Sequence, residues 1–112
     1  METKKGQIDI STLLLQTITS ICVSDIEGIK QISPRLLTKV YSLLQQEQRQ
    51  SVIIQLDKEG MVTLDVFIAV AYDTSIPDAC LRLQKHIKHE IEVMTGYKVK
   101  AIRVYVGGVY RN

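Results

Sequence analysis

The sequence predicts an α/β (α+β) fold, a two-layer sandwich in which a mixed β-sheet carries helices mainly on one face. Three observations predict it. Residues 61–72 are apolar at every even position (Val62, Leu64, Val66, Ile68, Val70 and Tyr72) and mixed at the odd ones, the period of a long strand with one committed core face. The stretch from Met61 to Val106 reads strand, helix, strand, and two strands joined by a helix are expected to pair in parallel through a right-handed crossover. Elsewhere, apolar residues recur at helical spacing in long stripes that need a sheet to cover.

Taken in order, Gly6 to Ile10 alternates and reads as a short strand, with Ser11 at a helix N-cap position. Leu14, Leu15, Ile18, Ile21 and Cys22 make the first helical stripe. Residues 25–28 turn, and Ile29 to Ile32 is a second short strand. Ser33-Pro34 opens a second helix, with serine as cap and proline where no amide hydrogen is needed. Its stripe is Leu36, Leu37, Val40, Leu43 and Leu44, and polar residues 45–50 close it. Val52 to Leu56 is an antiparallel neighbour of the long strand. Residues 57–60 form the hairpin loop between them, with Gly60 free to adopt a left-handed conformation.

The last helix starts near Ile76-Pro77, with Ile76, Ala79, Cys80, Leu83, Ile87, Ile91 and Met94 as its stripe and Gly96 as its C-terminal stop. In the final strand Ile102, Val104 and Val106 share a face but Val99 and Ala101 are out of phase. A bulge or a late strand start near Lys100 reconciles them, and Gly107-Gly108 ends regular structure. The first and last helices are expected to cover the even face of the central strand.

Composition narrows function. At 112 residues the chain fits a single domain, 1–112, with one core and little room for a deep cleft. Apolar residues at 46% and charged residues at 23% argue against disorder. A net charge of +2 is too mild to point to nucleic acid. No apolar run reaches the length of a membrane span, and no signal peptide is evident, so a cytoplasmic location is expected. Cys22 and Cys80 lie in apolar helical patterns and read as buried, reduced thiols.

Catalytic sets do not assemble. His86 and His89 share a helix face, but no further ligands complete a metal site, and Arg82, Lys85 and Lys88 surround them. The simpler reading is a solvated face with His86–Glu90 and Lys88–Glu92 pairs. Asp57, Glu59, Asp65 and Asp73 sit at loops or on the mixed strand face without evident partners. Phosphate-binding glycine loops and nucleophile elbows are absent, as are the clamp loop and stacking aromatics of small RNA-binding domains. No enzyme activity, cofactor or metal is expected, nor nucleic-acid binding.

Several segments, in order, resemble the alkaline shock protein family, cell-envelope stress proteins of Gram-positive bacteria. They are Gly6-Gln7-Ile8-Asp9-Ile10-Ser11, Asp25-Ile26-Glu27-Gly28-Ile29, the strand from Val62 to Tyr72, Ser75-Ile76-Pro77-Asp78-Ala79 with Leu83-Gln84, and Glu92-Val93-Met94-Thr95-Gly96-Tyr97-Lys98-Val99 followed by Ile102 to Val106. Two features depart from that pattern: Asp73 stands where the family usually has glycine, and residues 33–50 are strongly amphipathic. The resemblance implies envelope maintenance or stress adaptation, self-association, and membrane association only indirectly, through an anchored partner. It brings no catalytic centre.

The reading is therefore a non-enzymatic protein-interaction module that forms homo-oligomers and binds partner proteins. The alternatives are a regulator of a metabolic, lipid-synthesis enzyme or a small RNA-binding domain. The candidate interface is Leu36, Val40 and Leu43 on the second helix with Phe67 and Tyr105 on the outer sheet face. Exposed, Met61, Phe67, Ala69 and Ala71 would form an apolar patch needing either that helix or another chain to cover it.

Overall fold

A computed structural model of the chain describes residues 10–33, 35, 39, 42 and 50–111. The described elements are α1 (Ile10–Asp25), β1 (Ile29–Gln31), β2 (Val52–Leu56), β3 (Met61–Ala71), α2 (Ile76–Thr95) and β4 (Lys98–Tyr110). The sheet is mixed, as the strand–helix–strand pattern predicts. β3 is its spine, antiparallel to β1 and β2 and parallel to β4. β1 meets only residues 68–70 of β3 and β2 only residues 62–66, while β4 follows its whole length. The Phe67 N–H donates to Ser51 and the Ala71 N–H to Gly28, which places β1 and β2 in succession along one edge of β3. β4 takes the other edge.

The core forms between the even face of β3 and the two helices. Val62, Leu64, Val66, Ile68 and Val70 are buried against Leu15, Ile18, Cys22 and Val23 of α1 and Ala79, Leu83, Ile87 and Ile91 of α2. Tyr72, counted on the same face, lies beyond the strand and is exposed. α2 begins with Ser75 at the N-cap in extended conformation, Pro77 in the first turn and Asp78 beside the positive end of the helix dipole. It ends at Gly96, left-handed at φ 79°, whose N–H reaches the Glu92 carbonyl. Ile76 and Met94, assigned to its stripe, fall at its ends and are exposed, because the sheet reaches only the helix middle.

α1 differs more from expectation. Ile10 and Ser11 are both helical, so Ser11 is not its cap, and the Tyr97 hydroxyl donates to the Ser11 hydroxyl across the fold (3.4 Å). Of the expected strand from Gly6, residues 6–9 lie outside the described residues. The buried stripe is Leu15, Ile18, Thr19, Cys22 and Val23, whereas Leu14 and Ile21, assigned to it from spacing, are exposed. Thr19 is fully buried because its hydroxyl donates to the Leu15 carbonyl (2.8 Å), leaving no polar group unmet.

The final strand carries two irregularities. Of the bulge or late strand start expected near Lys100, the bulge is what forms, since the strand already begins at Lys98 and Val62 faces Val99 while Thr63 faces Ala101. Val99, Ile102 and Val104 thereby all reach the core side. Gly107-Gly108 does not end the strand. A second bulge at Gly107 takes up one residue between Val106 and Gly108, and pairing continues to Tyr110.

Of the helix expected from Ser33-Pro34, Arg35, Lys39 and Ser42 are helical and exposed, at positions complementary to the apolar stripe. Leu36, Leu37, Val40, Leu43 and Leu44 lie outside the described residues.

Candidate interaction site

The outer sheet face holds two of the residues singled out from sequence. Phe67 and Tyr105 are register partners on β3 and β4, and their rings stack with centroids 4.8 Å apart and planes 18° from parallel. Phe67 is nevertheless buried, packed with Ile32 and partly buried Ile53, and Ala69 and Ala71 are buried as well. Tyr105, 41% exposed, is the part of this pair that meets solvent. Beside it Arg103 donates two hydrogen bonds to the Asp65 carboxylate (2.5 and 3.3 Å). That contact, with the carboxylate's charge, holds the guanidinium's pKa above its ordinary value.

Several of the groups considered for catalysis have structural occupations. His86 Nε2 lies 2.9 Å from the Asp25 carboxylate, clipping the end of α1 to the middle of α2 in place of the expected His86–Glu90 pair. His89 is exposed. Glu92 turns from Lys88 to the Val99 N–H (3.0 Å) because β4 begins within its reach. Asp57 accepts the Glu59 and Met61 N–H groups (both 2.9 Å) and so shapes the hairpin turn, where Gly60 has φ 79°. Burial, followed by the charges of Glu90 and Asp25, pushes the Cys22 thiol up to about 11, and burial also raises Cys80. Both are free cysteines, with Cys22 buried and Cys80 half-buried.

An open polar depression of about 460 Å³ lies where β1, β3 and α2 converge, lined among others by Glu27, Asp73, Thr74, Arg82 and Tyr110. Lys30 sits over the Tyr110 ring at 4.0 Å and Arg111 over Tyr72 at 4.9 Å, cation–π contacts that order this end of the sheet. Among the described residues no group of three or more histidine, cysteine, aspartate or glutamate side chains converges as a metal site. Nor is any described helix long and apolar enough to cross a membrane.

The most distinctive surface is one that sequence periodicity passed over. α1 has a second apolar stripe, opposite its buried one: Ile10, Leu13, Leu14 and Ile21 are 66%, 52%, 48% and 57% exposed. With Thr17 between them they fall at i, i+3, i+4, i+7 and i+11, one face of a helix. No charged residue occurs in α1 before Asp25. An open groove of about 300 Å³ runs beside this stripe, lined by Thr17, Ser20, Ile21 and Ser24 with Gln16 and Gln31. Thr17 and Ser24 turn their hydroxyls back to the Leu13 and Ser20 carbonyls, which reduces the polarity they present outward. A count of apolar residues at either stripe was the available signal, but spacing alone assigns Leu14 and Ile21 to whichever stripe is drawn first.

A two-layer α+β domain of this kind leaves one apolar helix face exposed, while several of its polar side chains are engaged in turns, clips and pairs. The chain belongs to the alkaline shock protein 23 family, described as of cell envelope-related function, whose model matches residues 1–111. It is similar to the uncharacterized protein YloU of Bacillus subtilis, at 29% identity over 97% of this chain and 92% of the relative. It is also similar to the uncharacterized protein Spy1535 of Streptococcus pyogenes serotype M6, at 24% identity over 93% and 79%, and to the uncharacterized protein YqhY of B. subtilis, at 23% over 96% and 80%. No solved structure matches the chain.

Proposed function

We propose that this chain is a non-enzymatic interaction module in cell-envelope maintenance, acting on the cytoplasmic side by self-association and by binding partner proteins. The observation that carries this reading is the outer face of α1. A helix apolar on both sides is ordinarily buried on both sides. Here one side is covered by the sheet and α2, and the other is open. Contiguous exposed apolar surface of this kind marks an interface. A second copy of α1, packed antiparallel, matches its uncharged character without burying an unpaired charge. Family membership supports the envelope role. Tyr105 and the candidate residues Leu36, Val40 and Leu43 are secondary contact points in this reading.

The test is the mass of the purified chain by multi-angle light scattering across micromolar concentrations. The expected result is a dimer or larger species for the native chain and a monomer for Leu14→Glu with Ile21→Glu, with unchanged circular dichroism. A native chain that remains monomeric, or an oligomer indifferent to both glutamates, overturns self-association through α1.

A further inference from the structure

Among the described residues, β4 pairs with β3 alone, and the edge of β4 away from β3 has no neighbouring strand. Phe67 and Ala71 send their N–H groups to Ser51 and Gly28 on the β2 and β1 side, so Val66 and Ile68, which flank Phe67, turn theirs toward β4, where the register places the Arg103 and Tyr105 carbonyls to receive them. Val104 and Val106 alternate with those two residues, and their amide and carbonyl groups therefore face outward.

The first half of this outward row is closed by α2. Glu92 accepts the Val99 N–H, and Gln84 donates to the Ile102 carbonyl (2.9 Å). From Val104 onward no described side chain does the same. Leu81 lies one turn before Gln84 on the same flank of α2 and is 50% exposed, beside a strand half whose Val106 and Val109 are also exposed. At the closed half Lys85, Lys88 and Lys100 line an open groove of about 220 Å³ over Val99 and Ile102. Residues 98–111 contain four basic residues and no acidic one.

We propose that the outward edge of β4 takes an extended segment of another protein as an added strand, apolar where it runs beside Val104 and Val106 and acidic at the end nearest Lys85, Lys88 and Lys100. This rests on the reading of the chain as a partner-binding module and names the chemistry of the partner. Main-chain hydrogen bonds to Val104 and Val106 supply affinity, and alternate side chains packing toward Leu81 select apolar residues. The lysines select the acidic end, with a salt dependence that follows from their exposure. A second copy of β4 is a poor occupant, since it brings only like charges to the edge. Lysines and a bulge are also devices that keep an edge unpaired, and an edge serving only that purpose binds no peptide.

The experiment is a fluorescence anisotropy titration of the full chain with a labelled peptide, Glu-Asp-Glu-Val-Thr-Val-Thr-Val, and its counterpart with lysine at the three acidic positions. Val106→Pro removes one outward N–H and leaves the bonds to β3 in place. Lys85→Glu with Lys88→Glu reverses the groove charge and keeps the test decisive if the proline variant does not fold. The acidic peptide is expected to bind and the basic one not. Each variant should weaken the acidic peptide by about tenfold or more, and the charge reversal should transfer preference to the basic peptide. In the nitrogen-15 spectrum the Val104 and Val106 amides should shift. The proposal is overturned if neither peptide binds, if both bind alike, if both variants keep the native affinity, or if Val106→Pro dissolves an oligomer, which would make a second copy the occupant. Light scattering of the α1 glutamate variants is read without peptide, so failure here and failure of self-association through α1 are separate results.

Discussion

Gly28 is a residue whose identity is set by its backbone. It closes the turn from α1 into β1 at φ 85°, and a Cβ placed there would lie 2.5 Å from the Thr74 hydroxyl oxygen and 2.9 Å from its methyl. Gly28→Ala therefore combines left-handed strain with a collision, and a loss of roughly 1–3 kcal/mol is expected in urea unfolding. Adding Thr74→Ala should recover the collision part but not the strain, so a double variant no more stable than Gly28→Ala would refute the contact. Cys22 makes a second residue-level case. Its thiol rises in the native chain from 9.0 to about 11, chiefly through burial. Between those values the unfolded chain has released the proton that the native chain keeps, so stability is lost as pH climbs from about 9 to about 11 and is unaffected below. The loss is on the order of 2–3 kcal/mol. Cys22→Ala should flatten this part of the stability–pH curve, and an equal slope in both chains would assign the effect to other groups.

At the level of elements, α2 is the clearest amphipathic unit. Leu83 is fully buried against β3 while Arg82 and Lys85 face solvent. Leu83→Ala should cost roughly 2–5 kcal/mol, whereas Arg82→Ala with Lys85→Ala should shift the denaturation midpoint little. Comparable losses in the two would mean the faces are misassigned. This helix was legible because its stripe, its proline and its glycine all agree on one set of bounds. The irregularity at Lys100 was legible, as a bulge or a late strand start, because Val99 and Ile102 are out of phase, and the structure decided for the bulge. The bulge at Gly107 was not, because a glycine pair carries no side chain whose phase reports the strand continuing.

For the whole molecule, the sheet among the described residues has a protected spine and, along β4, an unpaired margin. β3 is paired on both edges and buried on its even face, so its amides should exchange with solvent deuterium only on global unfolding. The outward amides of Val104 and Val106 should exchange much faster, although they lie in the longest strand. Slow exchange at those two positions in the monomeric α1 variant would show the β4 edge to be covered within the chain. The same architecture separates two surfaces, the outer stripe of α1 and the edge of β4, so self-association and partner binding need not compete.

The sequence by itself determined the two-layer class, the mixed pairing around β3 and the bounds of α2, because period-2 and helical patterns, proline and glycine act within a few residues of where they occur. It placed Phe67 and Tyr105 on one sheet face for the same reason. Only the tertiary structure decided which of the two apolar stripes of α1 is core, since both satisfy helical spacing and the choice depends on where β3 lies. Tertiary structure also decided that His86 meets Asp25, a contact across distant segments, and that Glu92 meets Val99, which depends on how β4 turns back beside α2. Among the described residues it left Val104 and Val106 on an unpaired edge, because an edge is defined by which strand has no neighbour, and no local pattern records that.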